Sequence, residues 1–205
     1  MARMSLQDRR AAIVDAALAV AIRKGLAAVT VRDVAAEMGS SSGLIHHYFG
    51  SMDDVLAAAF ERVAGRELAE TEAVLAKAGD PVAVLTAFLD SYAPVAEDWS
   101  FQLWLDAWAE AARRPALREA SGRLNLAWAG LVEKAIRDGV AVGVFRCEDP
   151  KGAAWRILSI IDGLALQVVA HRSIVNRADM LDWAATAAER ELGLTPGVLA
   201  VSTAQ

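Results

Sequence analysis

Apolar residues along this chain return every three or four positions, and the pattern predicts helices from end to end. Leu6, Ile13, Ala16, Ala17 and Val20 make one face of a first helix, opened by Ser5 with Asp8 at capping-box spacing and stopped at Gly25. Val31, Val34, Ala35 and Met38 face one way on a second helix, with Arg32, Asp33 and Glu37 opposite. Thr30 and Asp33 open it, and Gly39 turns the chain beyond it. A third, short helix follows three serines. Either Ser41 or Ser42 can cap it, Ile45, Tyr48 and Phe49 form its apolar stripe, and Gly50 ends it.

Ser51 with Asp54 opens a long fourth helix whose buried face is Leu56, Ala59, Phe60 and Val63, continuing to Lys77 over roughly 40 Å. Beyond it, Asp80-Pro81 and Asp149-Pro150 each set a capping acid before a proline, Asp98 and Asn176 are further cap candidates, and Gly79, Gly139 and Gly193 sit where helices stop. Helices are expected near 81–96, 99–113, 116–138, 150–172 and 177–192. No long alternation of β-branched residues occurs, so strands are not expected outside a turn or two in 139–148. The last dozen residues are expected to fray or dock loosely. The fold class that follows is all-α.

Two short helices separated by a tight glycine and serine turn read as a helix-turn-helix. The third helix is too short to stand alone. Its outer side offers Ser42, Leu44, His46, His47 and the hydroxyl end of Tyr48, groups that donate hydrogen bonds or touch a thymine methyl in a major groove.

The stretch from Thr30 to Phe49, TVRDVAAEMGSSSGLIHHYF, resembles without a gap the DNA-binding half of the tetracycline-repressor-like (TetR/AcrR) regulators. Its GLIHHYF wording looks closest to the BetI-like branch, which includes a choline-responsive repressor. The resemblance implies a homodimer that represses transcription at a near-palindromic operator and lets go when a small-molecule inducer fills the body. It divides the chain into a three-helix DNA-binding head, 1–50, and a ligand-binding and dimerisation body, 51–205. It also implies that Arg32, Ser42, Leu44 and His47 reach bases while Thr30, Ser41, His46 and Tyr48 hold phosphates. Two positions depart from the family pattern. His46 stands where an aromatic is usual, and Met52 stands near the place of a lysine whose charge meets the DNA backbone.

Composition narrows the class further. With 205 residues, 55% hydrophobic and 23% charged, the chain can bury a large core. The longest apolar run, 157–170, contains Ser159, Asp162 and Gln167, and no segment offers the uninterrupted stretch of about 20 apolar residues that a bilayer span needs. The N-terminus does not read as a signal peptide. The one cysteine, Cys147, excludes an internal disulfide and suits a reducing cytoplasm. The net charge of -5 is unevenly spread: residues 1–50 carry six Lys or Arg against four acids, the rest fifteen against twenty-two. A mildly basic head on an acidic body fits DNA binding without establishing it.

No metal or nucleophile motif is present, so neither catalysis, a metal nor a cofactor is expected. His46 and His47 point about 100° apart on one helix and cannot converge on a metal from it. His171 with Arg172 suits the negative end of a helix, and Cys147 a loop. A helical ligand-binding protein or enzyme with a degenerate head, or a protein-binding module, remains open because of Met52 and the weak basic charge.

Six tryptophans are many for such a body: Trp99, Trp104, Trp108, Trp128, Trp155 and Trp183. Any one suits the core, but Trp104, Trp108, Phe101 and Trp128 are also candidates for the wall of a pocket for an apolar or cationic ligand. The helix at 150–172 is apolar nearly all round and has to be covered on both sides. Ile160, Gly163 and Leu164, with Trp183, Ala184, Ala185 and Ala188 of the next helix, are therefore candidates for a two-fold dimer interface.

Overall fold

A computed structural model describes residues 5–93, 98–171 and 174–200, with the side chain of Asp98 left out. The described residues form α1 (Leu6–Lys24), α2 (Val31–Glu37), α3 (Ser42–Tyr48), α4 (Met52–Leu75), α5 (Pro81–Asp90), α6 (Asp98–Ala111), α7 (Pro115–Ala141), α8 (Pro150–Ala170) and α9 (Arg177–Leu192), and no strand. The all-α expectation holds.

Helix starts follow the side chains that satisfy their free N–H groups. Ser5 with Asp8 and Thr30 with Asp33 form complete capping boxes. Asp80 accepts from Val82 and Ala83, Asp149 from Gly152, and Asn176 from Asp179. Ser51 accepts from the backbone of Asp54 and donates to its carboxylate. Ser41 takes the capping position of α3 by backbone conformation, but its side chain makes no capping bond.

Several expectations need correction. Leu6 is 66% exposed, so the core face of α1 begins at Ile13. Gly139 does not end α7. The ring of Phe145 folds back against it, and a Cβ there would lie 2.1 Å from Phe145 Cδ2, so glycine is required for close approach. The backbone N–H groups of Val144 and Phe145 both donate to the Gly139 carbonyl, which closes a turn after α7 ends at Ala141. The fifth helix, expected to run to 96, ends at Asp90, with 91–93 turning away from it; residues 94–96, the capping role of Asp98, Arg172, and residues 201–205 lie outside what is described. Near the end of the chain Leu199 is buried, its N–H donating to Glu189 Oε1 at 2.8 Å.

Two compact units divide the chain. The first holds residues up to Arg66 with Trp99–Leu124, and the second holds Glu67–Asp98 with the chain from Asn125 onward. Residues 1–50 therefore share a unit with the first part of α4, with α6 and with the start of α7.

Ile13, Ala17, Leu26, Val34, Ile45, Leu56, Phe60, Ala107 and Leu117 fill the core of the first unit. In the second, α8 packs on α9, and α5 also meets α9. Ala153, Ile157, Ile161 and Ala165 are buried on α8 and Met180, Ala184, Ala188 and Leu192 on α9, and Arg156 joins the two helices through Glu191 with bonds of 2.9 and 2.8 Å. By length and mean hydropathy α8 is apolar enough to cross a bilayer, although Lys151, Arg156 and Asp162 interrupt it. Its buried rows are spent on α9, which is what a core helix does.

Candidate functional site

The turn between α2 and α3 places a short helix on the surface with one side held down. Gly39 has φ +60°, a conformation L side chains rarely adopt, and the N–H of Ser40 closes on the Ala35 carbonyl at 2.9 Å. Beneath α3, Ile45 is 1% exposed and Phe49 is 4% exposed, so these two side chains fix the orientation of a helix of only seven residues. Its outer positions stay open. Ser41, His46 and His47 are exposed, and Ser42, Leu44 and Tyr48 are half-buried. The rings of His47 and Tyr48 meet edge-on at 5.0 Å.

Arg10 was not anticipated from the sequence. Its guanidinium lies 4.1 Å above the Phe49 ring and donates to the Tyr48 carbonyl at the C-terminal end of α3. The sequence signal was only an arginine on α1, indistinguishable from a solvated charge.

Charge around α2 is sorted so that one cation stays available. Lys24 pairs with Asp33 and Arg23 with Glu37. The Asp33 carboxyl is drawn down to about 2 by Lys24, then by the hydroxyl and the backbone N–H of Thr30. Arg32, exposed on the same helix, makes no ion pair among the described residues. Thr30 itself is corrected: its hydroxyl donates to Asp33 Oδ2 and accepts from the Asp33 N–H, which leaves no hydrogen for a phosphate. Met52 is the first residue of α4 and half-buried.

The candidate ligand residues do not form one cluster. Trp104, Trp108 and Phe101 belong to the first unit, where Trp104 meets Phe60 edge-on at 4.8 Å and Trp108 at 5.4 Å. Trp128 belongs to the second unit, with Phe88 at 6.1 Å and Tyr92 at 6.4 Å. Burial, and after it the charges of Asp162 and Glu67, push the Tyr92 hydroxyl well up. Burial pushes Asp162 itself up to about 7.

The candidate interface also divides. Ile160 is 38% and Trp183 48% exposed, Gly163 is exposed and Leu164 half-buried. Ala184 and Ala188 are each 1% exposed and Ala185 5%, because this small-residue face is already covered within the chain. A further apolar side chain on the open side of α8 is Leu166, 42% exposed.

Known proteins share both parts of this arrangement. Residues 13–59 match the family described as "Bacterial regulatory proteins, tetR family", and residues 81–193 match "BetI-type transcriptional repressor, C-terminal". The chain is 32% identical over 169 residues to the HTH-type transcriptional regulator BetI of Rhizobium meliloti, covering 78% of this chain and 77% of that one. A transcriptional regulator from Saccharomonospora viridis, solved in complex with choline, superposes with a TM-score of 0.78 at 27% identity, over 87% of this chain and 94% of that one. A TetR regulator from Haloarcula marismortui has a TM-score of 0.81 at 23% identity, over 91% and 99%, a likeness of fold.

Proposed function

Because this chain belongs to the tetR family of bacterial transcriptional regulators, in its BetI-type branch, we propose that it is a cytoplasmic homodimeric repressor. It holds a near-palindromic operator with α3 of each protomer and is released by a small organic ligand bound in the second unit. The observation that carries the reading is the surface of α3, with Ser41, His46 and His47 open above a buried Ile45 and Phe49, beside an exposed Arg32. A short helix held in that way presents hydrogen-bond donors to base edges without itself having to be stable.

In this reading Arg32, Ser42, Leu44 and His47 reach bases, while Ser41, His46 and Tyr48 hold phosphates. Dimerisation uses the open side of α8 and α9, where Ile160, Gly163, Leu166 and Trp183 form the apolar exposure, and it sets two recognition helices about 34–36 Å apart. Choline in the Saccharomonospora viridis relative supports an organic cation as the ligand class. Release requires only that the ligand prefer the dimer's DNA-free form, and by linkage the operator must weaken the ligand equally. No catalysis is proposed.

Selection from random duplexes followed by a shift assay tests this. A palindromic consensus whose binding falls steeply with salt is expected. Failure to enrich any sequence would overturn the reading.

A further inference from the structure

The last turn of α3 is held from outside the helix-turn-helix. A helix leaves its final carbonyls without partners of its own, and one of only seven residues has few bonds to resist fraying. At its start, Ser41 makes no side-chain cap. At its end, Arg10, 38 residues earlier on α1, donates from Nη1 to the Tyr48 carbonyl and sets its guanidinium 4.1 Å from the centre of the Phe49 ring. Phe49 is buried and Arg10 exposed, so the guanidinium closes the end of α3 from the solvent side.

Two contacts of different kinds need one group that can make both. A guanidinium is planar: its face lies against an aromatic ring while its N–H groups point outward in the plane, and its charge suits the negative end of a helix. An ammonium supplies the charge without the flat face. Arg62 borders the same shallow groove, with Gln7, Ala11, Val14 and Ala58, but its guanidinium is paired with Asp15 and does not stand in for Arg10.

His47 directly precedes the clamped residue, and its ring meets that of Tyr48 edge-on at 5.0 Å. Base edges are read by directional hydrogen bonds that weaken steeply as donor and acceptor tilt out of line. Phosphate contacts carry no sequence information. We propose that Arg10 is a positioning residue for sequence reading: without touching DNA, it fixes the last turn of α3 so that His47 meets base edges in line. This rests on the reading of α3 as the helix that enters the major groove.

The probes are the duplex that the parent chain selects from a random pool and a scrambled duplex of the same length and composition. Arg10→Lys keeps the charge without the planar fork, and Arg10→Met keeps the length without the charge. Both should lower the ratio of selected to scrambled affinity about tenfold, while the slope of log affinity against log salt stays as in the parent. Base preference should relax at the positions where His47→Ala relaxes it and persist elsewhere. Hydrogen exchange of the full chain without DNA gives a second readout: amides 45–49 should exchange about tenfold faster in Arg10→Met, and those of α2 as in the parent.

A direct phosphate contact would instead make the slope shallower by about 0.9 per protomer, restored in Arg10→Lys, with the ratio unchanged. That result overturns the proposal. So does parental exchange at 45–49, or exchange in both variants that is as fast in α2 as in α3, which would make Arg10 a stabiliser of the whole head. A parent that selects no duplex removes the groove reading itself, whereas a selecting parent whose variants keep its ratio removes only the role of Arg10.

Discussion

The backbone N–H of Leu26, in the turn that leaves α1, donates to Asp106 Oδ2 of α6 at 2.8 Å across 80 residues of sequence. Gln102 holds the other carboxylate oxygen, Nε2 to Oδ1, at 2.8 Å, so the acceptor is oriented from its own helix. The chain reaches this point through Gly25 at φ +84°, where an added Cβ would also lie 3.3 Å from Asp106 Oδ2. The exit from α1 is thus fixed by a glycine conformation and a charged acceptor together.

Removing that acceptor should cost the first unit a charge-assisted hydrogen bond to a partly buried N–H. Asp106→Ala is expected to lower stability by about 1–3 kcal/mol, and Asp106→Asn by less, since the amide oxygen can still accept. Gly25→Ala should cost about 1 kcal/mol or more through its backbone conformation. Urea denaturation gives all three. Equal stability of Asp106→Ala and the parent would mean that water replaces the carboxylate without penalty.

At the DNA surface, the structure separates residues that the sequence pattern treats alike. Arg32→Ala and His47→Ala should each weaken operator binding by about 1–3 kcal/mol and leave thermal stability nearly unchanged. Thr30→Ala should do the reverse, losing about 1 kcal/mol of stability with its cap. Met52→Lys should strengthen binding to operator and unrelated DNA alike, because a phosphate contact carries no sequence information. A gain confined to the operator would show that position 52 reads bases.

What the sequence made legible follows from how local each signal is. Capping pairs three residues apart, such as Ser5 with Asp8 and Thr30 with Asp33, lie within one turn and specify their helix starts unaided. The inward set of α3 was equally plain, since Ile45 and Phe49 recur at helical spacing. Arg10 above Phe49, Asp106 beneath Leu26, and the grouping of Phe88 and Tyr92 with Trp128 join residues 36 to 80 positions apart. Periodicity has no means of naming such partners. It also misassigned Ala184 and Ala188, because an apolar row reads the same whether its own chain or a second copy covers it.

That ambiguity gives a test of assembly. Ile160→Glu and Trp183→Glu place a charge where one protomer leaves the side chain open, so they should yield a folded monomer with about ten percent or less of the parent's operator affinity. Ala184→Glu places it between α8 and α9 of the same chain and should unfold the second unit instead. Sedimentation with circular dichroism distinguishes the outcomes. A dimer that survives Ile160→Glu and Trp183→Glu together would move the interface elsewhere.

The pH dependence of stability should carry the signature of Asp162. Its ordinary value is 3.8, and burial raises it to about 7 in the folded protein. Between those values the folded state holds a proton that the unfolded chain has released, so this group makes stability fall as pH rises from about 4 to about 7, and the loss is complete above that. Asp162→Asn is neutral at every pH and should escape this loss. The variant should match the parent near pH 4 and be more stable at pH 8, by roughly 1–4 kcal/mol, the upper bound set by the full displacement of the carboxyl. Thermal melts of parent and variant at the two pH values give the differences needed. A parent and variant separated by the same amount at both pH values would show that Asp162 ionises in the folded protein as it does in water.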